Sequence, residues 1–255
     1  MTVWGDFLNQ SQIWLWHGFL IFVRVGAALS LMPGFGEQSV PVRAKLGLAI
    51  AATLTIAPLI PPFGGAPWAL SGGMRYFATE TLSGLMFGIG LRFFVFALQT
   101  AGTIAAQSTS LSQILGASAE PMPAIGHLLM ISGLALAMAT GLHVKFLTYL
   151  TESYALLPPG RFPLASVVAE WGVAQVTRSF SLALRLAAPF VIISLLYNLA
   201  LGAINRAMPQ LMVAFVGAPA ITAGGLILLA LLTPVILWAW LEAMQVYLNT
   251  LGQAV

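Results

Sequence analysis

The chain has 255 residues, of which 59% are apolar and only 7% charged, against roughly 25% charged residues in a soluble domain. That composition excludes a water-soluble fold and leaves room for about six spans of roughly 20 residues with short connections. The net charge of +3 comes from basic residues scattered singly, which excludes a nucleic-acid surface, and the absence of cysteine excludes disulfides, thiolate catalysis and cysteine-ligated metal.

The first apolar segment runs from about Ile13 to Met32, encloses His17 and Arg24, and ends at the turn Pro33-Gly34-Phe35-Gly36. No basic residue precedes Arg24, so a cleaved signal peptide is not expected. The basic link Pro41-Val42-Arg43-Ala44-Lys45 leads to a second segment, Leu46 to Ile60, and the two segments are expected to form a hairpin. Phe63 to Gly73 is rich in Gly and Pro and reads as an irregular loop. The third segment, Met74 to Thr100, carries Arg75, Glu80 and Arg92; its Gly84 and Gly88, four apart, share a face that another helix can approach closely.

Ala101 to Met122 has a different texture. Gln107, Ser108, Thr109, Ser110, Ser112, Gln113, Gly116 and Ser118 lead to Glu120 and Pro121. Such a segment is too polar to face lipid and too apolar for a solvated linker, which suits the wall of a protein cavity. A helix end followed by a loop is the plainer alternative. The fourth segment, Ile125 to Leu150, has Gly133, Ala137 and Gly141 at four-residue spacing, a second ladder for close packing. Glu152 to Val173, with Pro158-Pro159-Gly160-Arg161, reads as a loop with a short amphipathic helix around Trp171.

The fifth segment, Val176 to Leu201, holds Arg178 and Arg185 seven apart, hence on one face, and is interrupted at Pro189. Asn198 to Pro219 then breaks the apolar pattern: Leu201 and Gly202 form a helix end, Pro209 removes a backbone donor, and Gly217 precedes a last segment from Ala220 to about Leu248. On residue types alone this is a helical hairpin with a short connection.

Arg24, Glu80, Arg92 and Arg185 all fall inside apolar runs. Each costs about 2.5 to 3.5 kcal/mol at a helix centre, so four facing lipid would oppose insertion by roughly 10 kcal/mol. They are expected to be structural buried charges, to line an aqueous path, or to face other subunits. The orientation rule is divided: Arg43, Lys45 and Arg206 favour one side, while Arg75 and Arg161 fall on the other in a six-span arrangement.

Enzyme chemistry fails on inventory. Asp6 is the only aspartate, which excludes an intramembrane aspartyl dyad; there is no HExxH or phosphate-binding loop, and Gly116-Ala117-Ser118 lacks the second glycine of a nucleophile motif. No cofactor and no metal are expected. A conventional small-solute transporter is the alternative from another class, since Pro-interrupted helices and buried arginines also suit substrate sites.

The stretch from Asn198 to Pro219 resembles the signature of the FliR family of export-gate proteins, which includes virulence-secretion counterparts. The matching residues are Asn198, Leu201, Gly202, Asn205, Arg206, Pro209, Gln210, Phe215, Gly217 and Pro219. Arg24-Val25, Pro33, Phe35-Gly36, Val40-Pro41 and Arg43 resemble the family's first hairpin, and Arg185, Leu186 and Pro189 its approach to the signature. The resemblance implies an all-α, multi-pass protein of the bacterial inner membrane, at the flagellar basal body, in a type III secretion export gate. Flagellar use is expected ahead of virulence use. It implies a FliP-like part over residues 1–175 and a FliQ-like hairpin over 176–255, packed with FliP and FliQ homologues around a pore. FlhB would stand at the cytoplasmic entrance and FlhA below, with unfolded export substrates in transit, lipid outside and no nucleic acid. Residues of about 107–120 fall where the family places a pore plug, although Glu120-Pro121 stands where Asp-Pro is expected. A loop of about 203–219 falls at the cytoplasmic mouth.

Overall fold

A computed structural model describes residues 2–63, 70–108, 124–208 and 213–250. Those residues are helical with short turns, and among them there is no strand. The helices are α1 (Thr2–Leu31), α2 (Val42–Ile56), α3 (Leu70–Ser108), α4 (Ala124–Ala139), α5 (Leu142–Leu156), α6 (Ala165–Ala207) and α7 (Val213–Thr250), with a 3-10 turn at Ala57–Leu59. Five are long and apolar enough to cross a membrane, and the bent pair α4 and α5 makes a sixth candidate. The protein is an all-α membrane protein, as composition requires.

Several element ends differ from the sequence-based expectation, each for a local reason. The basic residues Arg43 and Lys45 lie in the first turn of α2, because Pro41 serves as its N-cap and helix starts directly behind it. Of the expected loop from Phe63 to Gly73, the part from Leu70 onward is helix, since α3 already begins there, and residues 64–69 lie outside the described residues. The fourth segment is two helices bent by 74° at a break. Gly141 causes that bend: its φ of +82° lies in the left-handed region, so it leaves the small-residue ladder and begins α5 instead. Trp171 belongs to no separate amphipathic helix; α6 runs unbroken for 43 residues from Ala165 and carries Pro189 within it.

The described chain divides into two compact units. The first takes Met1–Arg92, Met138–Val173 and Gln245–Val255, and the second takes Phe93–Ala137 and Ala174–Met244. In the first, Leu20, Ile21, Val25, Ala28 and Met32 of α1 and the turn behind it are wholly buried. The expected approach at Gly84 and Gly88 is present here: a Cβ on Gly88 would lie 2.7 Å from the Ala28 carbonyl, and one on Gly84 would strike that of Arg24. In the second unit, Gly102 meets the Gly126 backbone in the same way, and Gly133 faces the wholly buried Trp240, whose Nε1 donates to the Phe94 carbonyl at 2.8 Å.

Burial is uneven. Within the most apolar stretch of α3, 56% of residues are buried, but in α6 and α7 the share is 17% each. Large side chains such as Leu184, Ile192, Leu231 and Trp238 stand exposed on those two helices.

Candidate functional site

Arg24 is the centre of the first unit's polar structure. An arginine inside an apolar helix must satisfy five N–H donors without water. Nε donates to Glu80 Oε2 at 2.7 Å, and Nη2 donates to Glu80 Oε1 at 3.1 Å and to the Leu157 carbonyl at 2.8 Å. Nη1 donates to Ser153 Oγ at 3.1 Å, and Ser153 Oγ donates onward to the Leu150 carbonyl at 2.6 Å. The guanidinium also lies 3.8 Å from the ring centre of Tyr154. Arg24, Glu80 and Ser153 are each 0% exposed. This single side chain thus clasps α1, α3, α5 and the start of the turn after α5.

The surrounding turns are fastened by weaker polar contacts. The Gly160 N–H donates to Thr79 Oγ1 at 3.2 Å. His17 Nε2 stands 3.0 Å from the Ala57 carbonyl. Arg92 pairs with Glu37 at 2.5 Å and 3.4 Å, and both side chains are about one fifth exposed. Lys45 Nζ donates to the Gly36 carbonyl at 3.2 Å and closes the turn after α1.

Three of the four expected structural charges therefore pair inside the chain. Arg185 does not: it is exposed on α6, as is Arg178. Of the three readings open for it, a pair inside the chain is not seen among the described residues, because its apolar run belongs to a helix whose outward face nothing in the described chain covers.

The second unit contains a polar link that the sequence reading missed. Ser194 Oγ donates to the carbonyl of Ser108 at 2.6 Å, and Asn198 Nδ2 donates to Ser194 Oγ at 3.3 Å. Ser108 is the last residue of α3, and the final carbonyls of a helix have no partner within it. Ser194 supplies that partner from another helix. The signal was present as a lone serine in an apolar run, four residues before Asn198. Ser179 Oγ makes a similar bond to the Phe93 carbonyl at 2.9 Å.

Of the expected plug residues, Gln107 is exposed and Ser108 half-buried at the end of α3. Thr109, Ser110, Ser112, Gln113, Gly116, Ser118, Glu120 and Pro121 lie outside the described residues. The expected mouth loop of about 203–219 is mostly helix. Asn205 and Arg206 occupy the last turn of α6, exposed, and Phe215, Gly217 and Pro219 fall in the first turns of α7, with no side-chain position described. Pro209 and Gln210 lie outside the described residues. Gly202 does not stop α6 because a single helical glycine costs only about 1 kcal/mol, whereas Pro209 disfavours helix at the residue before it. The last residue of α6 is Ala207.

Among the described residues no group of three or more His, Asp or Glu side chains is placed to hold a metal ion. The arrangement fastens helices and leaves polar helix ends.

Residues 15–246 match the family model described as bacterial export proteins, family 1. The chain is 39% identical over 227 residues to the flagellar biosynthetic protein FliR of Caulobacter vibrioides, covering 88% of this chain and 90% of that protein. It is 33% identical over 235 residues to FliR of Escherichia coli strain K12, covering 89% and 88%. It is 28% identical over 219 residues to FliR of Aquifex aeolicus, covering 85% of each.

Proposed function

The chain belongs to the bacterial export protein family of the flagellar FliR proteins, and from that membership we propose that it forms and gates part of the pore through which unfolded flagellar proteins cross the bacterial inner membrane. As a family member it is a multi-pass membrane component of flagellar export. In the proposed assembly, at the flagellar basal body, it packs with several FliP and FliQ homologues, with FlhB at the cytoplasmic entrance and FlhA below. Residues 1–175 act as a FliP-like part and 176–255 as a FliQ-like hairpin.

The mechanism is conduction without covalent chemistry. A pore that passes many unfolded sequences needs a wall free of strong binding pockets, and the small hydroxylated residues from Gln107 to Ser118 supply one. The observation that carries this reading is the bond from Ser194 to the Ser108 carbonyl. A stopper must swing from a fixed point, and this bond secures the helix end from which the polar segment departs. Arg206, exposed in the last turn of α6 and set at the negative end of that helix, is the residue proposed to meet the entrance partner.

The direct test is deletion of Ser108 to Ser118 from assembled complexes in membranes. Ion permeability is expected to rise about tenfold or more, a change worth about 1.4 kcal/mol in gating; unchanged permeability would overturn the plug assignment. Arg206→Glu is expected to stop secretion of flagellar protein while the FliP and FliQ assembly stays intact. Loss of that assembly would make Arg206 a structural residue instead.

A further inference from the structure

In α6, Ala174, Arg178, Ser181, Arg185, Ala188 and Ile192 succeed one another at alternating steps of four and three. That spacing keeps one seam of a helix against a partner helix over many turns. All six are exposed or half-exposed. The buried residues of α6, among them Gln175, Leu186 and Phe190, lie on another face, centred roughly 160° around the helix at about 100° per residue.

Among the described residues neither Arg178 nor Arg185 makes an ion pair or a hydrogen bond; the described ion pairs are Arg24 with Glu80 and Arg92 with Glu37. From Phe180 to Ile204, Arg185 is the only charge in a run longer than the roughly 20 residues that cross a bilayer. A guanidinium there needs an anion. Lipid phosphate satisfies such a group by drawing the side chain to the membrane surface, and that needs nothing from the neighbouring residues. Here Ala174, Ser181 and Ala188 keep the seam low on either side of each arginine, which lets another helix backbone come near enough for carboxylates to reach both guanidinium groups.

We infer that this seam docks a membrane helix of a neighbouring subunit, one that sets two carboxylates about seven residues apart against Arg178 and Arg185. The inference rests on the reading that the chain works among other membrane subunits. It adds which face makes the joint and what chemistry the partner must bring. The seven-residue separation of the arginines fixes the register between the two helices, because a slip of one turn would leave a guanidinium facing apolar side chains.

The test uses the full chain in its native membranes, with the photo-reactive residue p-benzoyl-phenylalanine placed at Ser181 or Ala188 and, as control, at the exposed but off-seam Val191. Irradiation is expected to join Ser181 and Ala188 to one membrane protein about tenfold more strongly than Val191, through a peptide containing Asp or Glu. The double variant Arg178→Glu and Arg185→Glu should abolish that adduct, the double lysine variant should keep it, and reversing the mapped acidic residues in the partner should restore it to the glutamate variant. An adduct to lipid alone, an adduct that survives charge reversal, or a joined peptide without an acidic residue would overturn the inference. If FliP and FliQ homologues co-purify but the seam yields no adduct, the seam fails and the export reading stands. If the charge-dependent adduct forms with a protein foreign to export, the seam stands and the export reading fails.

Discussion

The region around Arg24 and the outer face of α6 handle the same problem in opposite ways. Around Arg24, a charge placed in an apolar helix finds its carboxylate, a hydroxyl and a carbonyl within the same chain, and the arginine, the carboxylate and the hydroxyl are sealed from solvent. On α6, Arg178 and Arg185 are exposed, on a helix with little of its surface covered. The first region is complete on folding, whereas the second is left open by the chain itself, and on the inference above a neighbouring subunit completes it. On that reading the chain divides its charges into those that hold its own helices and those that select neighbours.

That contrast predicts a graded series of effects. The largest should follow Glu80→Ala, which leaves Arg24 buried and uncompensated and should cost about 3 to 5 kcal/mol, read as loss of monodisperse protein on thermal challenge in detergent. The double change Arg24→Met with Glu80→Leu should recover most of that loss, since removing both charges removes the burial penalty. If the double change is as damaging as the single one, the pair is not the clasp described above. Next, Gly102→Val should destabilise by about 1 to 3 kcal/mol, because its Cβ meets the Gly126 backbone and a backbone cannot swing aside as a side chain can. Glu37→Gln should cost about 1 kcal/mol or less, its partner Arg92 being partly exposed. The smallest effect belongs to Arg185→Gln, expected to shift the melting of the isolated subunit by an amount equivalent to no more than about 0.5 kcal/mol. A large drop in that last experiment would show that Arg185 serves the chain itself and would erase the contrast.

How much of this could be read beforehand depends on the range over which each cause acts. Helical character and the Gly84 and Gly88 contact face follow from composition and short-range spacing, and the structure agrees with them; of the misplaced charges it pairs Arg24, Glu80 and Arg92 and leaves Arg185 exposed. The partner of Arg24 was not legible, because Glu80 is 56 positions away and only packing brings them together. Pairing of Arg92 with Glu37, at 55 positions, has the same cause. Gly141 misled because four-residue spacing describes a packing ladder only while the helix continues, and spacing carries no information about a positive φ. Gly202 misled in the other direction: neighbouring turns were strong enough to carry α6 through it. Ser194 went unremarked because a serine in an apolar helix usually bonds its own backbone, whereas this one bonds the end of α3.

The 43 residues of α6 at about 1.5 Å each make a pole of about 65 Å, roughly twice the 30 Å of hydrocarbon in a bilayer. Membrane helices lean by no more than about 40°, and that tilt absorbs only part of the excess. Some of the pole must stand in water or among proteins, so its ends are not the two faces of a membrane. Reporter fusions at Arg161 and Asn205 would then measure the tips of a mast, and the split in the positive charges between the two sides becomes intelligible: the rule counts residues beside a crossing, and on this helix the crossing lies somewhere between the tips.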